Sequence, residues 1–527
     1  MSRSREFARR TSPLPAPTGT ESRALDAWAI DTAGVPSASL MERAGTHAAE
    51  IVARYSGLPP GARVVAVAGS GNNGGDARIA ARCLRAWGFR VDLIETAPDA
   101  RSGILTRSFL SPDPVEAIDD ALLAQRLAAA DLVLDGMLGT GASGELRGPV
   151  LRVARTLGAL RADDPNRPRI VALDLPTGVD ADTGRVVDHA VHADATIAFG
   201  WPKLGTLLHP GRSVAGEIHA VEIGYPPPGG FPDEVRWGVL DPVWAAAHLP
   251  DRPPDAHKYR SGAVLVVAGS EGMAGAAILA ARAALRAGAG YLRIASVASN
   301  RTVVQAALPE AVWVERDDAG ALAEALAASD AVVAGPGIGV DAAARAALDP
   351  ILASRCPRVL DADALSLLSE DAAAWPDDGR SVVTPHPGEA ARILGCDTAE
   401  VQGDRLAALE RIHATTGGVV LLKGSPSLVA GRHRRLDPSG SSDLATAGIG
   451  DVLAGTIASL ISQGVEAESA AALGLWLTSG AARAAGYRSG LQSIDVVDHL
   501  PAAIATARAV PTTAVAPWVC FHAEAIR

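Results

Sequence analysis

The residue types best suited to chemistry fall in short turns that mix glycine with carboxylate, amide, lysine or histidine. The first half carries Gly69-Ser70-Gly71-Asn72-Asn73-Gly74-Gly75-Asp76, then Asp135-Gly136-Met137-Leu138-Gly139-Thr140-Gly141, then Asp174-Leu175-Pro176-Thr177-Gly178. The second half carries Ala334-Gly335-Pro336-Gly337-Ile338-Gly339, Asp361-Ala362-Asp363, Thr384-Pro385-His386-Pro387-Gly388-Glu389, Leu422-Lys423-Gly424 and Ala447-Gly448-Ile449-Gly450-Asp451. Singly, such residues are ordinary turn and helix-capping residues. Together, as strand-end turns, they can converge on a crevice at the carboxyl edge of a sheet.

Two chemistries follow. Gly69 to Gly74 spell GxGxxG, a turn that lets backbone approach a pyrophosphate, with an acid such as Asp92 or Glu95 further on for a ribose hydroxyl. Its two amides and its carboxylate exceed what phosphate recognition needs. In the second half, glycine N–H groups opening a helix at Gly450 can face a phosphoryl group while Asp451 takes a hydroxyl proton. Asp451 is therefore the candidate general base, and a plain N-cap is its alternative.

These turns need elements to hold them. Apolar bursts at 64–68, 91–94, 132–135, 170–173 and 195–199 alternate with helical periods such as 76–87, the pattern of βα repeats around a parallel sheet. YPPPGGFPD at 225–233 breaks every periodicity, and a strand-turn-helix pattern restarts at 263–268. A disordered arm is expected over 1–20, an α/β domain over 21–235, a second α/β domain over 240–508 and a C-terminal tail over 509–527.

Bulk properties exclude several functions. With 59 acidic against 48 basic residues and no basic stripe, the field repels nucleic acid and anionic membranes, so neither is an expected partner. No apolar run approaches a membrane span, and Cys83, Cys356, Cys396 and Cys520 form no CxxC pair. They are read as buried small residues in a reducing, cytoplasmic protein. Among the 48 basic residues only Lys203, Lys258 and Lys423 are lysines, a compact ammonium that arginine does not replace where geometry is tight.

The first half resembles the NAD(P)H-hydrate epimerase family, through Leu40-Met41-Glu42-Arg43-Ala44-Gly45, GNNGGD at 71–76, GTGASGELRGP at 139–149 and LDLPTGVD at 173–180. The resemblance implies a Rossmann-like three-layer αβα domain. It implies that Asn72, Asn73, Gly74, Gly75 and Asp76, with Gly139, Thr140, Gly141, Ala142, Ser143, Gly144 and Glu145, hold a hydrated dinucleotide (NADHX or NADPHX). Asp174 would lie at the reacting ring, and Asn73, Asp135 and Thr177 would bind potassium, for which few charges with amide and hydroxyl oxygens are suited. Ala77 stands where that family usually has glycine, and Thr177 where serine is commoner. Lys203 also fits a family position, with charge balance as its alternative.

The second half is similar to the ADP/ATP-dependent NAD(P)H-hydrate dehydratases, a ribokinase-like α/β branch, over roughly 240–508. By that resemblance Ala276, Gly337, His386 and Asp451 contact the hydrate. Lys423, Gly424, Ser425, Pro426, Ser427 and Gly450 contact the nucleotide, ADP being the expected co-substrate and magnesium its companion. Ile449 replaces a small hydroxyl residue, and Lys258 in His257-Lys258 sits at a family motif with a surface charge as its alternative. The whole implies a homo-oligomeric, bifunctional epimerase and dehydratase. Its rival is a small-alcohol kinase fused to a non-catalytic dinucleotide-binding module.

Overall fold

The computed structural model describes residues 13–106, 110–160, 167–226, 235–251, 261–370, 375–376, 379–440, 442–487, 489–510 and 518–521. Lys258 lies outside them, as does the side chain of Cys520. The chain divides into two compact units near Trp237 and Gly238.

In the first unit an eight-stranded sheet runs, from one edge to the other, Trp518–Phe521, Glu217–Val221, Ala195–Phe199, Arg169–Leu173, Leu132–Gly136, Arg63–Ala68, Arg90–Glu95 and Asp113–Pro114. All pairs are parallel except the one joining Trp518–Phe521 to Glu217–Val221. The order reverses direction between Arg63–Ala68 and Leu132–Gly136, so the turns after these two strands flank the switch point where α/β sheets bind ligands.

Alternation along Arg63–Ala68 explains the layering, because successive side chains of a strand face opposite ways. Val64, Ala66 and Ala68 join the core under helices Ser37–Tyr55 and Asn72–Ala86. Val65 and Val67 join a separate core under helices Asp120–Ala128 and Gly148–Leu160. The result is the expected three-layer αβα arrangement.

The second unit is built on an eleven-stranded sheet. Its parallel part runs Val419–Leu422, Ser381–Val383, Arg358–Leu360, Ala331–Ala334, Ala263–Val267, Tyr291–Ser296, Val312–Glu315. The antiparallel strands Ser427–Ala430 and Arg434–Asp437 extend it beyond Val419–Leu422. Helix Ile449–Ser462 is buried along most of its length and packs tightly on helix Ala274–Arg286. A Cβ on Gly455 would stand 2.0 Å from the Ala280 carbonyl oxygen, so glycine there permits the approach. That contact aims the start of the helix, with Gly450 and Asp451, at the carboxyl edge of the sheet.

Three expectations need correction. The arm expected over 1–20 is ordered from residue 13, with a short strand Leu14–Pro15 and helix Gly19–Ala27 capped by Thr18. The tail contributes a strand, Trp518–Phe521, to the first unit's sheet. Cys83, Cys356 and Cys396 are half-buried free thiols, and burial pushes the Cys356 thiol up to about 11. Among the described residues no helix is long and apolar enough to cross a membrane.

Gly335 has φ +126, and an added Cβ would meet the Asp361 carbonyl oxygen at 1.8 Å. Gly335→Ala is expected to destabilise the second unit by more than ~2 kcal/mol in urea denaturation. Gly440→Ala, where nothing lies within 4 Å, should stay within about 0.5 kcal/mol of wild type.

Candidate active sites

In the first unit, the strand Arg169–Leu173 ends on Asp174, whose φ of 65 is left-handed. That turn directs the carboxylate to Lys203, which is almost wholly buried. The Lys203 ammonium donates to Asp174 Oδ1, to Phe199 O at 2.9 Å and to Trp201 O at 3.2 Å, so all three of its protons are used. Lys203 thus lies inside the fold and balances the Asp174 carboxylate.

Asp26 and Tyr225 join this cluster, and neither was singled out as a site residue by the sequence motifs. The Tyr225 hydroxyl donates to Asp26 Oδ1, and the Tyr225 ring stacks on Trp201 with centroids 5.1 Å apart. Gly200, with φ +74, leaves room for that ring, since a Cβ would meet Tyr225 Cε2 at 2.5 Å. Burial raises the Asp26 carboxyl above its ordinary range against the pull of the Tyr225 hydrogen bond and Lys203. Burial, with the nearby Asp174 and Asp26 charges, pushes Asp76 well up.

The GSGNNGGD string opens helix Asn72–Ala86, and most of its glycines serve packing. A Cβ on Gly69 would lie 2.0 Å from Met137 O, and one on Gly74 would lie 1.9 Å from Gly69 O. Gly71 faces open space, with nothing within 4 Å of an added Cβ. Glu95, considered above for a ribose hydroxyl, is committed to buried Arg78 through Nε at 2.8 Å and Nη2 at 2.7 Å. Asp92 is exposed on its strand. Of the two acids named for a dehydrogenase use of this turn, Glu95 is therefore occupied within the protein. Ala77 is accommodated by Gly136, whose own Cβ would fall 2.4 Å from the Ala77 methyl.

Asn73, Asp135 and Thr177 come together. Asp135 accepts from Thr177 N at 2.8 Å and Thr177 Oγ1 at 2.7 Å, while burial, opposed by these bonds, raises its carboxyl. Asn73 Nδ2 donates to Leu138 O at 2.7 Å and Leu173 O at 3.0 Å. Its Oδ1 is buried without a hydrogen-bond partner, an orphaned oxygen of the kind a cation would take. Beside it, Gly139, Ala142, Ser143, Gly144 and Glu145 line a groove of about 240 Å³ with Leu175 to Asp180. Thr140 and Gly141 do not line it, and the Thr140 carbonyl accepts from Arg23 at 2.8 Å.

In the second unit Lys423 donates to Asp361 Oδ1 at 2.6 Å, and Thr384 Oγ1 donates to the same oxygen at 2.8 Å. A Cβ on Gly450 would stand 2.9 Å from the Lys423 ammonium and 3.3 Å from Asp361 Oδ2, so the helix start rests on this pair. Burial alone would lower the Lys423 ammonium, but the facing Asp361 and Glu389 carboxylates raise it above the ordinary lysine value. Burial and repulsion from Asp361 push the Asp451 carboxyl up to about 7, offset by Lys423. A group titrating there suits a general base at neutral pH.

Ala276 and Gly337 face each other, a Gly337 Cβ falling 3.3 Å from that of Ala276. His386 caps helix Pro387–Leu394, with Nδ1 accepting from Gly388 N at 2.9 Å and Glu389 N at 3.3 Å. The half-exposed ring turns its Nε2 toward Glu389 Oε1 at 3.4 Å, so the same carboxylate that caps the helix also steadies the imidazole. In the loop from Lys423 to Ser427, Gly424 and Ser427 hydrogen-bond each other, and the Arg405 guanidinium holds Lys423 O at 3.2 Å and Pro426 O at 3.0 Å. Arg405, which burial lowers to about 10, has no local sequence signal. Ser425 belongs to the same loop, and Ile449 packs against the apolar core.

Residues 264–502 match the family model described as NAD(P)H-hydrate dehydratase, and residues 37–205 match YjeF-related protein N-terminus. A bifunctional NAD(P)H-hydrate repair enzyme of Moorella thermoacetica is 35% identical, the match covering 92% of this chain and 95% of the relative. The chain belongs to the bifunctional NAD(P)H-hydrate repair enzyme family. The Escherichia coli member is 33% identical over 89% of each chain. Among solved structures, an ADP/ATP-dependent NAD(P)H-hydrate dehydratase of Bacillus subtilis is 28% identical, covering 50% of this chain and 96% of that one with a TM-score of 0.44. In both units of this family member the candidate residues lie at the carboxyl ends of parallel strands.

The raised Asp451 value has a stability consequence. A carboxyl whose folded value exceeds the unfolded one contributes stability that is full below about pH 4 and lost as pH rises through about 7. Asp451→Asn should therefore raise the Tm at pH 8 and leave it nearly unchanged at pH 4, measured by calorimetry.

Proposed function

We propose that the chain repairs hydrated nicotinamide dinucleotides in two steps. The first unit interconverts the R and S epimers of NADHX and NADPHX at C6, and the second dehydrates the S epimer while ADP becomes AMP and phosphate. Curated relatives named for this bifunctional repair, matched over nearly the full chain, support the pairing. The observation that carries the second step is Asp451, pushed up to about 7 one residue after Gly450, where the helix start rests on the Lys423–Asp361 pair.

The chemistry of the second unit follows from that arrangement. Asp451 takes the proton of the C6 hydroxyl as its oxygen attacks the terminal phosphorus of ADP, and the bond to AMP breaks. Lys423 and the N–H groups opening helix Ile449–Ser462 face the charge that develops on the phosphoryl oxygens. The original C6–O bond then breaks, its electron pair leaving with the newly phosphorylated oxygen as phosphate, a far better leaving group than hydroxide. Loss of the C5 proton restores the ring double bond. Ala276, Gly337 and His386 would hold the hydrate, and Lys423, Gly424, Ser425, Pro426, Ser427 and Gly450 the nucleotide.

In the first unit, Asn72 to Asp76 and Gly139 to Glu145 would hold the dinucleotide with Asp174 at the ring. Asn73, through its orphaned Oδ1, with Asp135 and Thr177, would hold potassium, which supplies a fixed positive charge when bound. Among the described residues no cluster of three or more His, Cys, Asp or Glu forms a metal site, and magnesium would enter with the nucleotide. A cytoplasmic homo-oligomer remains the reading of the assembly.

Asp451→Asn is expected to lower ADP-dependent dehydration by at least about 10²-fold while epimer exchange, followed by proton NMR, continues at the wild-type rate. Asp174→Asn should do the reverse. Equal loss of both activities in either variant contradicts the division of labour, and a stable phosphorylated product formed with ATP favours the small-alcohol kinase.

A further inference from the structure

Asp174 and Lys203 leave the epimerising site without an evident proton donor. Every proton of the Lys203 ammonium is committed to Asp174, Phe199 O or Trp201 O, and the Tyr225 hydroxyl is committed to Asp26. Inversion at C6 needs a proton delivered to one oxygen and taken from another. The inference below rests on the epimerase reading of this unit.

Two carboxyls raised by burial remain, Asp26 and Asp76, and Asp26 is already engaged by the Tyr225 hydroxyl, which leaves Asp76 as the candidate. It is 7% exposed and, among the described residues, no cation lies within ion-pair distance of its carboxyl. Its position follows from Asn73, three residues earlier and on the same face of helix Asn72–Ala86. The Asn73 amide is tied at 3.0 Å to the carbonyl of Leu173, the residue before Asp174. The helix face that carries Asp76 is therefore fixed against the strand end that carries Asp174. The charged groups facing Asp76 are Asp174, Asp26, Lys203 and Arg101, and burial with the two carboxylates outweighs the cations. Asp174 is ion-paired with Lys203 whereas Asp76 has no such bond, so the two carboxyls stand in opposite surroundings, the arrangement that separates an acid from a base.

We propose that Asp76 is the acid that protonates the C6 oxygen of the hydrate, with Asp174 as the base for the water that replaces it. The proton passes from Asp76 to the C6 hydroxyl, and the C6–O bond breaks with its electron pair leaving on water. The N1 lone pair forms a C6=N1 iminium ion beside the Asp174 anion. A water molecule then adds to C6 and gives its proton to Asp174. The overall atom balance is one water lost and one gained, and the starting ionisation returns by proton exchange with solvent.

The test uses the full chain without nucleotide, one enriched epimer of NADHX, and water enriched in oxygen-18. Epimer exchange is read by proton NMR and isotope content by mass spectrometry, each above the uncatalysed background. Wild type is expected to incorporate one oxygen-18 per inversion. Asp76→Asn should lose inversion and incorporation together, by about 10²- to 10⁴-fold, while the quenching of tryptophan fluorescence still reports NADHX binding. The same variant should keep wild-type ADP-dependent consumption of the S epimer, which shows that the chain is folded. Inversion by Asp76→Asn within tenfold of wild type overturns the assignment, as does wild-type inversion with retention of oxygen-16. Absence of any wild-type inversion instead overturns the epimerase reading beneath it.

Discussion

A lysine paired with a buried aspartate at a strand end is the constraint on which each half of this protein depends. An unpaired buried ammonium or carboxylate costs several kcal/mol, so each pair needs its partner geometry to be held firmly. Lys203 meets Asp174 in the first unit and Lys423 meets Asp361 in the second. The two differ in what is left over. Lys203 spends all three protons inside the protein, whereas among the described residues Lys423 bonds one carboxylate and keeps protons for a ligand. A saturated lysine suits a site that manages protons between carboxyl groups, and an open one suits a site that receives phosphate.

The packing exists to keep those pairs in register. Glycines at 69, 74, 335 and 455 lie where a Cβ would collide with backbone within about 2 Å, so they fix how closely a helix start or a turn meets its strand. Their tight contacts are made with the protein itself. Left-handed φ at Asp174 and at Ala362, between Asp361 and Asp363, concentrates backbone strain at the same strand ends. Ordinary burial elsewhere, in two cores across the first sheet and a large alanine-rich one in the second unit, holds that strain in place.

Much of this was legible in the sequence because strand, turn and helix each leave a local pattern. The five strands read from the first half coincide with observed ones to within a residue at either end. Residue types within the turns drew attention to Asp451 and Lys423, and the family resemblance pointed to Asn73, Asp135 and Thr177, whose side chains lie around the same strand ends. What local pattern could not carry was partnership across the chain. Asp26 and Tyr225 are 199 positions apart, yet they share a hydrogen bond, and Arg405 reaches a loop 18 to 21 residues away. Lys203 could be read from sequence as a family position or as charge balance, and which carboxylate it meets depends on a fold contact 29 residues away. The GxGxxG spacing overstated ligand contact, since the collisions that require Gly69 and Gly74 are long-range or involve the turn's own backbone.

In the proposed function, two separately wired sites on one chain together repair both epimers of a damaged coenzyme. The most direct measurement follows the absorbance of reduced nicotinamide after catalytic amounts of enzyme and excess ADP are added to an equal mixture of R and S hydrates. The account predicts complete recovery in one continuous phase, because the first unit feeds the second. A plateau near half recovery, with the rest appearing only at the uncatalysed rate, would contradict it.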